Sequence, residues 1–406
     1  MPKQGEIFAS IDIGSQKIAV LIAEKESERI SVFGQAIGES AGVKDGHIVN
    51  VAQAAEAVAQ VFDKAQKSCN TGVDGVVFNI SDPHLKTINQ NRQVPTENGT
   101  VSAQDMNSAI NSASAIATLT NKQKLSTEVN HFLLDEDPQP VENPLGMQAA
   151  LLGANVHIEI VSSQAYKNLH KLADQAQLSV SDLVLDSVAS SEYCLSDEQK
   201  QSGVCLLDIG ASTMNFSIFT AGGITHSSVL TPGADQITQA ISDAFDTNFA
   251  EAERLKKDYG YAILESDIED KLIQFEQANS SEERYLSRHD LIRVIEKAYH
   301  QLLHSFKQHL KEQRLDRALR AGIVLVGGGT KIRNCEQLLL KTLRIRSKIA
   351  QINTDKITVK QSIATDPSYA SSLGLLVHAY STDEEVLEVE QDNTGIGGKF
   401  KKIFDL

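Results

Sequence analysis

Residues 7–23 read IFASIDIGSQKIAVLIA, and residues 204–219 read VCLLDIGASTMNFSIF. Each stretch is an apolar, β-rich run followed by Asp-Ile-Gly, small hydroxyl residues and a second alternating run, which predicts a hairpin with glycine in its turn. The two Asp-Ile-Gly units begin at Asp12 and Asp208, about half a chain apart. One such turn is a common connector, but two copies in matching contexts predict a duplicated domain with facing turns.

The chemistry of the two turns suits a phosphate group. Gly14 and Gly210 permit backbone angles that let several N–H groups point at one oxyanion. The turns also supply hydroxyl donors: Ser15, Ser212 and Thr213. Asp12 and Asp208 would repel a phosphate but suit a Mg²⁺ ion, usually through its water ligands. The two turns therefore predict a triphosphate clamped in a cleft between domains.

Two further segments fit a nucleotide. Residues 323–326 (IVLV) predict a buried strand, and the glycines that follow it, Gly327 to Gly329, permit close approach of a flat base, although a plain flexible turn is the alternative. AERLKKDYG (252–260) predicts a helix in which Glu253 and Lys256 share one face, with an exposed ion pair as the alternative. Neither GxxxxGK[ST] nor GxGxxG occurs, so P-loop and Rossmann sites are unsupported.

Composition excludes several classes of protein. The 406 residues carry a net charge of −15, which argues against a general nucleic-acid binder. A hydrophobic content of 41% with 22% charged residues indicates a globular protein. The length of 406 residues suggests two or three domains. The four cysteines form no CxxC pair, which argues against a zinc site or a disulfide framework. No apolar run reaches the ~18 residues of a membrane-spanning helix, and the N-terminus lacks a signal-peptide core.

In this order and spacing, the motifs resemble those of the FtsA family, bacterial cell-division proteins of the actin/Hsp70/sugar-kinase superfamily. The resemblance also rests on four further stretches: VASSEYCL (188–195), TPGADQIT (231–238), AGIVLVGGGTKI (321–332) and DPSYASSLGLL (366–376). It implies an α/β, actin-like (ribonuclease H-like) fold of two duplicated domains around a nucleotide cleft. It also implies a family-specific inserted subdomain and a C-terminal amphipathic helix.

The resemblance implies a domain plan. Actin-like domain 1 (1A) comprises residues 1–81, 161–195 and 360–382, interrupted by an inserted subdomain (1C) at 82–160. Domain 2 (2A) comprises residues 196–235 and 311–359, with subdomain 2B at 236–310. An acidic flexible linker at 383–394 and a membrane-targeting helix at 395–406 complete the chain.

The C-terminal segments carry their own signals. Residues 383–392 read DEEVLEVEQD, and six acids in ten positions indicate a solvated, flexible tether. Residues 395–406, GIGGKFKKIFDL, form a short basic amphipathic pattern typical of an interfacial membrane anchor, with docking on the protein's own body as the alternative. The membrane-binding residues are predicted to be Ile396, Lys399, Phe400, Lys401, Lys402, Ile403, Phe404 and Leu406.

The resemblance and the residues together predict the ligands ATP and Mg²⁺. The predicted nucleotide-binding residues are Asp12, Gly14, Ser15, Asp208, Gly210, Ser212, Thr213, Gly233, Glu253, Lys256, Gly327, Gly328 and Gly329. Asp12 and Asp208 would hold Mg²⁺. No residue stands out as a catalytic base, so we expect slow hydrolysis at most.

The resemblance also implies partners and a location. The partners are the C-terminal tail of FtsZ, further copies of the chain in a filament, later cell-division proteins and anionic membrane lipid. The location is the cytoplasmic face of the bacterial membrane at the division site, as a peripheral protein. Two alternatives stay open: a platform protein of type IV pili like PilM, and a phosphotransferase of the same superfamily.

Overall fold

The computed structural model describes residues 5–25, 29–69, 71–116, 120–278, 283–351 and 357–391. The strands are β1 (Ile7–Ile13), β2 (Lys17–Lys25), β3 (Ile30–Glu39), β4 (Val43–Lys44), β5 (His47–Ile48), β6 (Gly75–Ile80), β7 (Lys86–Pro95), β8 (Lys122–Leu134), β9 (Leu151–Ser162), β10 (Val180–Leu185), β11 (Val204–Ile209), β12 (Met214–Thr220), β13 (Gly223–Leu230), β14 (Leu272–Glu276), β15 (Glu283–Ser287), β16 (Gly322–Val326), β17 (Ser347–Ile349) and β18 (Ile357–Thr358). The α-helices are α1 (Val51–Cys69), α2 (Ala103–Ser114), α3 (Ser163–Gln175), α4 (Asp186–Cys194), α5 (Asp197–Ser202), α6 (Asp235–Phe245), α7 (Phe249–Tyr259), α8 (Arg288–Glu312), α9 (Cys335–Leu343), α10 (Gln361–Ala364) and α11 (Ala370–Gln391).

The first unit is organised around a six-stranded sheet with the order β10-β6-β1-β2-β3-β18. Its central strands are buried on both faces, as the continuous apolar runs of β1 and β2 predict. Because side chains alternate along a strand, Ile18 and Val20 pack with α1 while Leu21 packs with α11. The core of this unit therefore lies on both sides of the sheet.

The second unit repeats this plan. Its five-stranded sheet has the order β13-β12-β11-β16-β17, and β11 pairs antiparallel with β12 and parallel with β16, just as β1 pairs with β2 and β6. The turns match in detail: the N–H of Gly14 donates to the carbonyl of Lys17, and that of Gly210 to the carbonyl of Thr213, each at 2.9 Å. Both predicted hairpins are present, and the duplicated α/β fold class is confirmed.

The longest helix of the second unit carries an apolar stripe. Leu291, Ile295, Ala298, Leu302, Phe306 and Leu310 lie on α8 and are all buried. Their spacing of three and four residues places them along one face, which packs against α6, α9 and the sheet. This stripe belongs to the core.

Between β6 and β10 the chain forms a separate layer. The antiparallel sheet β7-β9-β8 is covered by α2, whose Met106 and Ala109 pack against Leu152 and Val156 of β9. The buried carboxylate of Asp82 connects the segment that enters this insert with the segment that leaves it. It accepts hydrogen bonds from the N–H of His84 at 2.9 Å and from the N–H of Ser162 at 2.6 Å.

The insert also contacts the second unit. The amide of Asn89 donates to the carbonyl of Thr225 at 2.8 Å, and the amide of Asn130 donates to the carbonyl of Ile224 at 3.0 Å. Both acceptors lie on β13, the edge strand of the second sheet. The insert therefore touches both units of the duplicated core.

Two segments differ from the plan read from the sequence. Ile357 pairs with Ile30 of β3, so the chain has returned to the first sheet before residue 360, where the sequence placed the change of domain.

The helix α11 continues through Gln391, into the stretch 383–394 that we expected to be a flexible linker. Its residues explain the helix: Glu, Leu and Gln are good helix formers, and the first glycine or proline after them is Gly395. The predicted membrane helix 395–406 lies outside the described residues.

Candidate functional site

A cavity of about 700 Å³ lies between the two units, at the carboxyl ends of β1, β11 and β16. It is lined by twelve of the thirteen residues predicted to bind a nucleotide: Asp12, Gly14, Ser15, Asp208, Gly210, Ser212, Thr213, Glu253, Lys256, Gly327, Gly328 and Gly329. Parallel strands bring their carboxyl ends to one edge, so residues far apart in sequence converge here.

The thirteenth residue, Gly233, lies behind the second turn and does not line the cavity. A Cβ atom on Gly233 would stand 2.5 Å from the nitrogen of Thr213 and 2.6 Å from the carbonyl oxygen of Ala211. Gly233 therefore allows the chain before α6 to pack against the backbone of this turn. Its place in the structure is that of a support for the turn.

The two glycine turns touch each other across the cavity. The hydroxyl oxygens of Ser15 and Ser212 are 2.5 Å apart, and the amide of Gln16 donates to the carboxylate of Asp235 at 2.6 Å. Both contacts join the first unit to the second. The turns thus form two facing walls of the cavity.

Three buried carboxylates line the inner end of the cavity: Asp12, Asp186 and Asp208. Burial raises the pKa of all three, and the pKa of Asp208 reaches about 7 because the charge of Asp12 adds to the effect of burial. Lys17 opposes these shifts at Asp12 and Asp208. One lysine facing three carboxylates leaves an excess of negative charge, which a divalent cation would neutralise.

The donor set fits a hydrated Mg²⁺ ion. Magnesium prefers one or two carboxylates and completes its shell with water and phosphate oxygens. Within the described ranges no group of three His, Cys, Asp or Glu side chains could hold a metal ion by itself. Asp12 and Asp208 fit an ion that shares its ligands with a bound phosphate.

Three site residues escaped sequence reasoning. Lys17 faces both carboxylates and donates a hydrogen bond from Nζ to the carbonyl of Ser368. Asp186 accepts from the amide of Asn79 at 2.8 Å, and Oδ1 of the same Asn79 accepts from the N–H of Ile13 at 2.6 Å. Lys17 follows Gly14 by three positions, and Asp186 stands two positions before the quoted motif VASSEYCL, but no local pattern indicates that either side chain faces the cavity.

The first residues of α11 reach the carboxylates of both units. Ser371 lies 3.5 Å from a carboxylate oxygen of Asp208, and Ser372 lies 3.4 Å from one of Asp12. Both serines belong to the DPSYASSLGLL motif, to which the sequence analysis assigns no role in the site. This helix therefore connects the two halves of the site.

The predicted pair on α7 lies at one side of the cavity. Lys256 Nζ is 2.6 Å from a carboxylate oxygen of Glu253, and Thr238 joins both, donating to Glu253 at 2.6 Å and accepting from Lys256 at 2.7 Å. Burial alone would raise the pKa of Glu253, but Lys256 lowers it below its usual value. The pair is mostly buried, so it is a fixed part of the wall rather than a surface ion pair.

The glycine run after β16 closes the cavity. Gly327 has φ +89°, and a Cβ there would lie 2.1 Å from Oδ1 of Asp208, so only glycine fits. Gly328 faces open space, with nothing within 4 Å of a Cβ. The carbonyl of Gly329 accepts from the hydroxyl of the buried Tyr299 at 2.7 Å, which holds the run in place from α8. The run therefore has one face packed and one face open to a ligand.

Comparison with protein-family models gives two matches. The model "Cell division protein FtsA" matches residues 205–374, and the model "SHS2 domain inserted in FTSA" matches residues 83–160. The second range contains β7, α2, β8 and all but the last two residues of β9. Together the two matches span more than half of the chain.

Curated relatives match most of the chain. "Cell division protein FtsA" of Pseudomonas aeruginosa is 27% identical over 377 residues, which cover 93% of this chain and 90% of that protein. The protein of the same description from Neisseria meningitidis serogroup B is 26% identical over 411 residues, covering 99% of this chain and 98% of that protein. The resemblance read from the motifs therefore extends along the whole sequence.

Solved structures share the fold at low identity. The "PilM-PilN type IV pilus biogenesis complex" matches with a TM-score of 0.64 and 16% identity, over 93% of this chain and 99% of that one. MreB5 of Spiroplasma citri bound to ADP matches with a TM-score of 0.58 and 13% identity, over 96% and 99%. These matches concern the actin-like fold, whereas the family models and the curated relatives agree on one family. The chain belongs to the FtsA family of actin-like cell-division proteins.

Proposed function

We propose that the chain binds ATP with Mg²⁺ in the cavity between its units and, in that form, assembles on the cytoplasmic membrane face as a tether for the FtsZ ring. The observation that carries the proposal is the convergence of both glycine turns, the buried carboxylates and the Gly327–Gly329 run on one cavity. Membership of the FtsA family and the ADP complex of the MreB5 fold relative support the same ligand class.

Different residues of the cavity suit different parts of the nucleotide. The backbone N–H groups and hydroxyls of the two turns suit the phosphates, and Asp12 and Asp208 suit Mg²⁺ through its waters. Glu253 and Lys256 suit the ribose hydroxyls, and the open face at Gly328 suits the base. We expect slow hydrolysis at most, since the buried carboxylates are needed for the cation.

The open position at Gly328 allows a direct test of nucleotide binding. We expect Gly328→Ala to fold normally and to weaken Mg²⁺–ATP binding at least ~10-fold, about 1.4 kcal/mol, because its methyl group enters the space of the base. Calorimetric titration of full-length protein measures the affinity, and thermal unfolding checks the fold.

Gly72→Ala is the matched control. It adds the same methyl group into open space, at an exposed position away from the cavity. We expect this variant to bind Mg²⁺–ATP as the unchanged protein does. Equal ATP affinity in the Gly328→Ala variant would contradict the placement of the base.

The membrane part of the proposal rests on residues 395–406. No helix in the described part of the chain has the length and apolar character to cross a membrane. We expect full-length protein, with ATP and Mg²⁺, to pellet with anionic liposomes, and a chain ending at Asn393 to stay in solution. The reason is the loss of the apolar burial and the three lysines of that segment.

Single substitutions sharpen the membrane test. Phe404→Asp should abolish pelleting, whereas Asp405→Asn, on the opposite face of the predicted helix, should leave it unchanged. If the shortened chain pellets as well as the full chain, the lipid contact lies elsewhere in the protein.

The link to FtsZ and to later division proteins rests on the family. Individual contacts with FtsZ are therefore not assigned to residues of this chain. Binding of the FtsZ C-terminal tail peptide, followed by fluorescence anisotropy, tests this part of the proposal.

A further inference from the structure

A chain of hydroxyl groups joins three parts of the molecule. The hydroxyl oxygens of Ser187 on α4 and Ser217 on β12 lie 2.7 Å apart, and those of Ser217 and Ser227 on β13 lie 3.1 Å apart. Ser227 donates to Oε1 of Glu159 at 3.1 Å, and Ser126 donates to Oε2 of the same carboxylate at 2.6 Å. Glu159 and Ser126 lie on β9 and β8 of the insert. We call these five residues the hydroxyl chain; it runs from the first unit, through the edge of the second sheet, into the insert.

The hydroxyl chain is buried along its whole length, since none of its five residues is more than 7% exposed. A serine hydroxyl has one hydrogen, and that of Ser227 is donated to Glu159. Ser217 therefore donates to Ser227, and Ser187 donates to Ser217. A buried polar group that loses its partner keeps the cost of its desolvation, so the chain holds α4, β13 and the insert at hydrogen-bond distance.

A second connection joins the insert to the same strand. Nδ1 of the buried His157 lies 2.6 Å from Oδ1 of Asn89, whose amide donates to the carbonyl of Thr225 at 2.8 Å. Because Oδ1 accepts, Nδ1 of His157 carries the hydrogen. Burial lowers the pKa of His157 to about 4, so the ring is neutral at pH 7. The insert thus binds β13 at Ser227 and at Thr225, each time through an oriented polar group.

These contacts lie away from the cavity. The strand β12 leaves the cavity at Thr213, and Ile224, whose carbonyl accepts from the insert, is opposite Phe219 of that strand. At about 3.3 Å per residue, Phe219 is roughly 20 Å from Thr213. The helix α4 touches both regions, since Asp186 lines the cavity and its neighbour Ser187 begins the hydroxyl chain. The two units are therefore connected at the cavity and, separately, through the insert.

The insert is firmly attached to the first unit. Its last strand, β9, ends at Ser162 and runs directly into α3, which begins at Ser163 and packs against α1. The carboxylate of Asp82 connects this exit with the entry into the insert. When the second unit rotates away from the first, the insert therefore stays with the first unit, and β13 must slide along it.

Nucleotide exchange requires such a rotation. The glycine turns contact each other across the cavity, with the hydroxyl oxygens of Ser15 and Ser212 2.5 Å apart, and a triphosphate held between them leaves when the turns separate. Hydrogen bonds lose most of their strength beyond about 3.5 Å, so a movement of more than about 1 Å at β13 also breaks the hydroxyl chain. Opening the cavity and releasing the insert from β13 are thus parts of the same movement.

We propose that the insert is a latch between the two units and that it slows the release of nucleotide from the cavity. The intact hydroxyl chain stabilises the arrangement in which the turns touch, and breaking the chain lets the units open more often. Coupling between two sites is reciprocal, so a bound nucleotide also stabilises the contact between the insert and β13. The inference rests on the nucleotide binding in the proposed function and adds the element that sets the rate of exchange.

The first test removes one hydroxyl of the chain in full-length protein. Ser227→Ala takes away the donor to Glu159 and the acceptor for Ser217. We expect radiolabelled ATP, bound with Mg²⁺ and chased with excess unlabelled ATP, to leave this variant at least fivefold faster than it leaves the unchanged protein. Ser191→Ala is the matched control, because this buried hydroxyl donates to the carbonyl of Val188 within the same helix. The control should release ATP at the rate of the unchanged protein.

The second test closes the latch covalently. A Cβ atom on Gly223 of β13 would lie 2.7 Å from Cβ of Asn130 of the insert, and a disulfide needs about 3.8 Å, so a shift of about 1 Å allows the two positions to be joined. We expect Asn130→Cys with Gly223→Cys, once oxidised, to release ATP at least threefold more slowly than the unchanged protein, and a reducing agent to remove the difference. This variant adds a bond, so its result does not depend on the stability of Ser227→Ala.

Hydrogen exchange supplies the reciprocal readout. In the unchanged protein, Mg²⁺–ATP should slow the exchange of the backbone amides of β13 at least fivefold. Ser227→Ala should lose this protection, whereas Ser191→Ala should keep it.

Several results would overturn the latch. A Ser227→Ala variant that unfolds at the temperature of the unchanged protein and releases ATP at the same rate shows that the chain does not limit exchange. A disulfide that forms and leaves the release rate unchanged does the same, and two cysteines that do not join contradict the contact itself. If the unchanged protein binds no ATP in the presence of Mg²⁺, the proposed function fails and the latch fails with it, which distinguishes that outcome from the others.

Discussion

Replacing Gly374 by alanine is expected to destabilise the protein by about 3 kcal/mol, although alanine in a helix interior is normally favoured by about 1 kcal/mol. Gly374 lies in α11 where this helix crosses α4. A Cβ atom there would stand 1.9 Å from the carbonyl oxygen of Ala189 and 2.3 Å from its carbonyl carbon. Both neighbours are backbone atoms, so the two helices must separate.

The separation should also weaken nucleotide binding, because the same helix carries the serines that approach Asp12 and Asp208. Urea unfolding of the full chain measures the loss of stability, and titration with Mg²⁺–ATP measures the loss of affinity. Ser381→Ala is the matched control on α11, since its hydroxyl donates only to the carbonyl of Val377 in the same helix. A Gly374→Ala variant as stable as this control would refute the close crossing.

Replacing Asp208 by asparagine is expected to stabilise the nucleotide-free protein while removing its function. The pKa of Asp208 is raised to about 7 by burial and by the charge of Asp12. At pH 8 the folded protein therefore holds a buried negative charge at an energetic cost. From the size of the pKa shift, removing this charge should raise the free energy of unfolding by an amount on the order of 2–4 kcal/mol. Asparagine has the same shape and no charge.

The raised pKa determines the pH dependence. Between the unfolded value of 3.8 and the folded value of about 7, the folded protein binds more protons at Asp208 than the unfolded chain does. The contribution of Asp208 to the free energy of unfolding therefore falls as the pH rises through this window, and it stays low above pH 7. We expect the thermal midpoint of the nucleotide-free protein to rise when the pH is lowered from 8 to 6.

The variant separates charge from structure. Asp208→Asn should flatten the change between pH 8 and pH 6, and it should weaken Mg²⁺–ATP binding by at least ~2 kcal/mol, about 30-fold, because the cation loses a buried charged partner. Asp197→Asn is the control, since this carboxylate is exposed and does not line the cavity. A pH dependence that persists unchanged in Asp208→Asn would show that another group causes it.

The sequence by itself determined the elements that carry local signals. These elements are the two Asp-Ile-Gly hairpins, the strand before Gly327 and the apolar stripe of α8. Each is a pattern of residues close together in the sequence, because turn geometry and the burial of one face constrain the residue types at fixed spacing. Since both halves carry the same pattern, the sequence also indicated the duplication and the facing turns. Twelve of the thirteen nucleotide-binding residues predicted from these patterns line one cavity.

The tertiary structure alone decided which side chains meet. Asp186 joins the carboxylates only because β10 lies beside β6, and Lys17 faces Asp208 only because the two units close on each other. Gly233 proved to support a turn rather than line the cavity, since close backbone approach is invisible in sequence. Local patterns specify elements, whereas desolvation, packing and contact between distant residues depend on how those elements come together.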